Sequence, residues 1–123
     1  MGKKVMIVDD SRTIRQQVRF TLTKGGYEVL EAEDGADGFE KLKANPDVAM
    51  VISDVNMPNM NGLEMVEKIK GEGTISGIPI IMLTTEGAAD LIDRARKAGA
   101  KGWLVKPFKP EKLIEAVGKL TGS

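Results

Sequence analysis

The chain has 123 residues, is 41% hydrophobic, and carries 18 Lys and Arg against 18 Asp and Glu, which suits a single domain, 1–123, with its own core. Balanced charge gives no global field for nucleic acid or an anionic membrane, and no apolar stretch approaches the roughly 18 residues that a bilayer span needs. The absence of cysteine excludes disulfides and thiolate chemistry, and the absence of histidine excludes any internal imidazole base, ligand or phosphocarrier. A cytosolic, monomeric protein is expected.

The apolar run Val5 to Val8 predicts a buried first strand that stops at Asp9 and Asp10. Ser11 suits an N-cap, and Ile14, Val18 and Leu22 recur at helical spacing until Gly25 and Gly26. Glu28 to Ala32 reads as a short, partly charged edge strand, and Gly35 to Ala44 as a helix that Asn45 and Pro46 end. The run Val48 to Ile52 predicts a third strand leading into Asp54, and Leu63, Val66 and Ile69 mark a helix after Gly62. Gly71 to Gly77 is a loop before a fourth strand, Ile80 to Leu83, closed by Thr84 and Thr85. Ala88, Leu91, Ile92 and Ala95 define a fourth helix ending at Gly99. Gly102 to Val105 is the fifth strand, and Leu113, Ile114, Val117 and Leu120 line the last helix.

Such alternation predicts an α/β protein, a doubly wound, five-stranded parallel sheet in three α/β/α layers with right-handed crossovers. With the edge-like second strand outside the first, the order becomes 2-1-3-4-5 and the chain reverses between strands one and three. Ligands bind at such a switch point, beyond the carboxyl ends of strands about 4.8 Å apart. Asp9, Asp10 and Asp54 then come within reach of one ion, with Thr84 and Lys106 on the same rim.

Three acids at one sheet end repel unless a cation or protons intervene. Oxygen donors without Cys or His favour Mg²⁺ or Mn²⁺. Asp10 and Asp54 are the expected direct ligands, Asp9 binds directly or through water, and the backbone carbonyl of Asn56 is a further candidate. A carboxylate can attack phosphorus to form an acyl phosphate, and an ionised carboxylate needs no activating base. Asp54 is the expected nucleophile, Lys106 the cation for phosphoryl oxygens, and Thr84 a hydroxyl donor to them.

Asp9-Asp10, Asp54 followed by Val55-Asn56-Met57-Pro58 and Gly62, Thr84-Thr85, and Lys106-Pro107-Phe108 together resemble the receiver domains of two-component response regulators. The resemblance runs from about Lys4 to Leu120. Ile52-Ser53-Asp54, Asn56 to Met60 and Glu31 to Gly35 bring it nearest to the single-domain chemotaxis receivers. It implies a flavodoxin-like fold and Mg²⁺-dependent phosphoryl transfer from the phosphohistidine of a sensor histidine kinase to Asp54, giving a 4-aspartylphosphate. It further implies a switch in which Thr84 and Trp103 move together, and an output face built from the fourth helix, fifth strand and fifth helix. The implied target is one such as the flagellar motor switch, with autodephosphorylation in seconds to minutes tuned by Asn56 and Glu86. A phosphatase partner and a cis peptide before Pro107 belong to the same pattern. Three positions depart from it: Trp103 where Tyr, Phe or His is common, Thr85 where a smaller residue is frequent, and Asn61 where Asp is common.

Other readings of the same residues are a phosphorelay intermediate and a Mg²⁺-dependent aspartyl phosphohydrolase. Against the hydrolase, Asn56 stands where a second Asp would follow Asp54, and 123 residues encode no substrate cap. A flavodoxin relative fails because Asp9 and Asp10, which repel phosphate, replace a phosphate loop.

Overall fold

The structure, a computed structural model, describes residues 2–85 and 87–122. Five strands alternate with five helices: β1 (Lys4–Val8), α1 (Arg12–Lys24), β2 (Glu28–Ala32), α2 (Gly35–Ala44), β3 (Met50–Ser53), α3 (Gly62–Lys70), β4 (Ile80–Thr84), α4 (Ala89–Ala98), β5 (Gly102–Val105) and α5 (Pro110–Thr121). All strand pairs are parallel and the order is β2-β1-β3-β4-β5, as expected. The third strand is shorter than its apolar run. Val48 and Ala49 precede it, and Val48 is nevertheless buried.

Strand side chains alternate between two cores. Met6, Val8, Val51, Ile80 and Met82 pack with Phe39, Leu42, Leu63, Val66, Ile69 and Ala95, placing α2, α3 and α4 on one face. Val5, Ile7, Met50, Ile52, Ile81 and Leu83 pack with Val18, Leu22, Leu113 and Val117, placing α1 and α5 on the other. Each fully buried aliphatic side chain contributes about 1.5–3 kcal/mol of transfer free energy, so the two-sided burial of β1, β3 and β4 makes a rigid platform. The large hydrophobics left exposed among the described residues are Phe20 on α1 and Val105 on β5.

Helix starts follow the local chemistry. Ser11 accepts from the Ile14 N–H, Asp34 from the Asp37 N–H, and Asn61 forms a reciprocal capping box with Glu64. The α4 and α5 helices have no such cap, and α4 is also thinly buried. Ala88 stands at its N-cap with no side-chain hydrogen bond, and of its ten residues only Ala95 is buried. The α2 and α3 helices on the same face bury four and five residues, so α4 is the most loosely held of the three and the readiest to shift.

Candidate phosphoacceptor site

The register carries the acids to a common edge. Val8 pairs with Ser53, so Asp9 and Asp54 lie one residue beyond the last pair of β1 and β3. Backbone hydrogen bonds extend that pairing: Asp54 N–H donates to Val8 O at 2.9 Å and Asp9 N–H to Ala32 O at 3.1 Å. On the other side Thr84 pairs with Val105, and Lys106 N–H donates to Thr84 O at 2.9 Å. By alternation Asp9, Asp54 and Lys106 continue the rows of Ile7, Ile52 and Leu104, which face α1 and α5. That shared direction lets one ammonium touch two carboxylates.

Lys106 Nζ lies 2.8 Å from Asp9 Oδ2 and 3.2 Å from Asp54 Oδ2. Ser11 N–H donates to Asp9 Oδ1 at 2.8 Å, and Val55 N–H to Asp54 Oδ1 at 2.7 Å. Asp9 is fully buried, Asp54 is 8% exposed, and Asp10 is exposed. One carboxylate oxygen from each of the three acids lies within 4.8 Å of the others. Burial pushes the Asp9 pKa above its ordinary value, with the Asp54 charge adding to it, and the bonds from Lys106 and Ser11 offset only part. Burial alone would lower the Lys106 pKa, but Asp9 and then Asp54 outweigh it and hold it above the usual lysine value. The ammonium stays charged between two of the three carboxylates.

The loop carrying Asn56 is fastened at both ends. Gly62 N–H donates to Val55 O at 2.8 Å, Gly35 N–H to Met60 O at 2.9 Å, and Asn59 Nδ2 to Asp34 Oδ2 at 2.7 Å. Asn59 has φ 67, a left-handed conformation that asparagine tolerates. Asn56 is exposed beside Asp54. No local pattern pairs Asp34 with Asn59, which stands 25 positions away.

Thr84, buried at the end of β4, has the parity of Met82, and its pair Val105 has the parity of Trp103. Thr84 and Trp103 therefore belong to the face covered by α3 and α4, with Trp103 half-buried against that core. The Lys106–Pro107 peptide is cis. Glu86 lies outside the described residues.

Residues 5–118 match the family described as the response regulator receiver domain. Chemotaxis protein CheY1 of Helicobacter pylori is 46% identical over 121 residues, covering 98% of each chain. The structure of Vibrio cholerae chemotaxis protein CheY4 superposes with a TM-score of 0.91 at 42% identity, covering 98% of this chain and 99% of that one. A CheX–CheY–BeF3–Mg²⁺ complex from Borrelia burgdorferi contains a chain 28% identical, with a TM-score of 0.89 and coverage of 95% and 87%. The motifs at the strand ends, the 2-1-3-4-5 sheet and these matches across nearly the full length agree: the chain belongs to the response regulator receiver domain family, in its CheY-like, chemotaxis-related branch.

Proposed function

We propose that this receiver accepts a phosphoryl group on Asp54 from the phosphohistidine of a sensor histidine kinase. The reading rests on one observation above all: Asp54 shares an ammonium with Asp9 and lies within a cluster of three carboxylates at the open edge of the sheet. In the transfer an Asp54 carboxylate oxygen attacks phosphorus, the donor N–P bond breaks with its electron pair leaving on the imidazole, and an acyl phosphate forms. Lys106 trades its contact with Asp54 Oδ2 for a phosphoryl oxygen, and the Thr84 hydroxyl donates to another.

The all-oxygen donor set fits Mg²⁺, which keeps several waters and takes few carboxylates. Asp10 and Asp54 would hold it directly, Asp9 directly or through water, and Asn56 through its carbonyl. When bound, it neutralises charge developing on the transferring oxygens. The Borrelia relative, solved with BeF3 and Mg²⁺, supports this reading. Asn56 and Glu86 are assigned to orienting the hydrolytic water, so that the phosphoryl group is lost within minutes.

Phosphorylation shifts Thr84 and Trp103 together and biases the face of α4, β5 and α5 toward a target, the flagellar motor switch being the one that the family resemblance implies, in keeping with relatives named as chemotaxis proteins. A phosphorelay role would use the same chemistry with a second phosphocarrier as target. Intact mass after acetyl phosphate and Mg²⁺ should show a phosphoryl adduct on the wild type and none on Asp54→Asn. Steady turnover of diverse phosphate esters would overturn the proposal in favour of a hydrolase.

A further inference from the structure

Arg15, on α1 one turn beyond the Ser11 cap, enters none of the chemistry above. Its guanidinium nevertheless reaches the site from behind: Nη1 donates to the backbone carbonyl of Asp9 at 2.5 Å, and Nε to Glu31 Oε1 on the edge strand at 3.0 Å. The side chain is largely buried, at 15% exposure. Glu31 is held in turn by Arg19 at 2.6 Å, and its own carbonyl accepts from Lys41 at 2.8 Å. Burial opposes the Glu31 charge, but the bonds from Arg19 and Arg15 outweigh it and keep its pKa below the ordinary range.

The Asp9 carbonyl and the Asp10 N–H share one planar peptide group. That plane contains the Asp10 Cα, so fixing it fixes the axis about which the Asp10 side chain turns, and the bond from Ser11 N–H to Asp9 Oδ1 at 2.8 Å restrains that turn from the other side. We infer that Arg15 is a positioning residue for divalent-cation binding: braced by Glu31, it locks the Asp9–Asp10 peptide and thereby aims the Asp10 carboxylate. This rests on the proposed Mg²⁺ site. The fork geometry matters as well as the charge, because one guanidinium serves two acceptors at once, Nη1 the Asp9 carbonyl and Nε the Glu31 carboxylate, in a way that a lysine point charge does not.

The role has an unusual sign. A cation near a Mg²⁺ site opposes binding by Coulomb repulsion, so deleting it should tighten binding if charge were all that mattered. A positioning role requires the reverse. Isothermal titration of the full chain with MgCl₂ separates the two. Arg15→Ala should weaken Mg²⁺ binding about tenfold, as loss of a group orienting a metal ligand does. Arg15→Lys should leave most of that loss in place, and Glu31→Gln should weaken binding by about threefold. In an Asp10→Asn background the Arg15→Ala effect should fall below about twofold, because the ligand that Arg15 aims is already gone.

Metal-free protein supplies a separate readout. Amides of Asp10 and Ser11 should exchange faster with deuterium in Arg15→Ala while those of α5 stay unchanged. If Arg15→Ala does not fold by circular dichroism, Arg15→Lys carries the test, because it keeps the charge, whereas Glu31→Gln weakens binding on Coulomb grounds alone. Unchanged or tighter Mg²⁺ binding in the folded variants, or an equal loss in the Asp10→Asn background, overturns the inference alone. A wild type that binds no Mg²⁺ overturns the site and the inference with it.

Discussion

The Lys106 ammonium lies 2.8 Å from Asp9 Oδ2, nearer to the acid that closes β1 than to Asp54, whose Oδ2 is at 3.2 Å. Lys106 is thus the internal counter-ion of the acid cluster before it is a phosphate ligand. Lys106→Met leaves two buried carboxylates without their cation, and stranding a buried charge costs about 3 kcal/mol. Urea unfolding at neutral pH without Mg²⁺ should show that loss. Saturating Mg²⁺ should restore most of it, and the variant should bind Mg²⁺ more tightly than the wild type while phosphorylating more slowly. Equal stability of variant and wild type in EDTA would show that the ion pair carries no energetic weight.

Asp9 yields a pH-dependent prediction. Its folded-state pKa lies above the ordinary 3.8, chiefly because it is buried. The folded protein therefore binds more protons than the unfolded chain between those two values, and stability tied to Asp9 is lost as pH rises through the folded value. In EDTA at pH 7, Asp9→Asn should melt at a higher temperature than the wild type, and the gap should close as pH falls toward 3.8. Mg²⁺ should reverse the order at pH 7. A gap in EDTA that does not change with pH would rule out the Asp9 carboxylate as its source.

Backbone proximity makes Gly62 intolerant of any side chain. A Cβ there would lie 1.9 Å from the carbonyl oxygen of Asp54 and 2.9 Å from its carbonyl carbon, both of them backbone atoms that cannot swing away. Gly62→Ala should cost about 3 kcal/mol, at the upper end of overpacking penalties, and should also weaken Mg²⁺ binding because Asp54 itself is displaced. Gly73→Ala, where a Cβ meets nothing within 4 Å, should stay within about 0.5 kcal/mol of wild type in the same urea titration. Similar midpoints for the two would contradict the close approach.

Hydrophobic periodicity and the Gly, Pro and Ser punctuation made all ten elements legible, because helix and strand impose periods of 3.6 and 2 on apolar positions. The meeting of Asp9, Asp54 and Lys106 followed from topology, since parallel strands present all their carboxyl ends on one rim. Arg15, Arg19 and Glu31 were not legible as a unit. Charged residues on a helix and an edge strand look like ordinary solvated surface, and only the packing of α1 over β2 brings the guanidinium to a backbone carbonyl. The shortened β3 has a similar origin, because Val48 is buried in the loop before the strand and an apolar pattern cannot distinguish the two. Asn59 and Asp34, 25 positions apart, meet only through the fold.

Thr84 and Trp103 share the sheet face under α3 and α4, which gives the proposed switch a concrete route. A hydroxyl drawn toward a phosphoryl oxygen moves on β4, and the neighbouring strand carries the indole against a helix that buries only Ala95 and has no side-chain cap. Indole emission depends on the surroundings of the ring, and Trp103 is the only tryptophan, so the emission reports on this one position. Beryllofluoride with Mg²⁺ should change the emission of the wild type. In Thr84→Ala the same treatment should still give the adduct by mass, because Asp54 and Lys106 remain, yet leave the emission nearly unchanged, because the hydroxyl that couples site to ring is gone. Emission that responds equally in both proteins would mean that the indole senses the charge of the adduct directly rather than through β4, and Thr84 would lose its place in the switch.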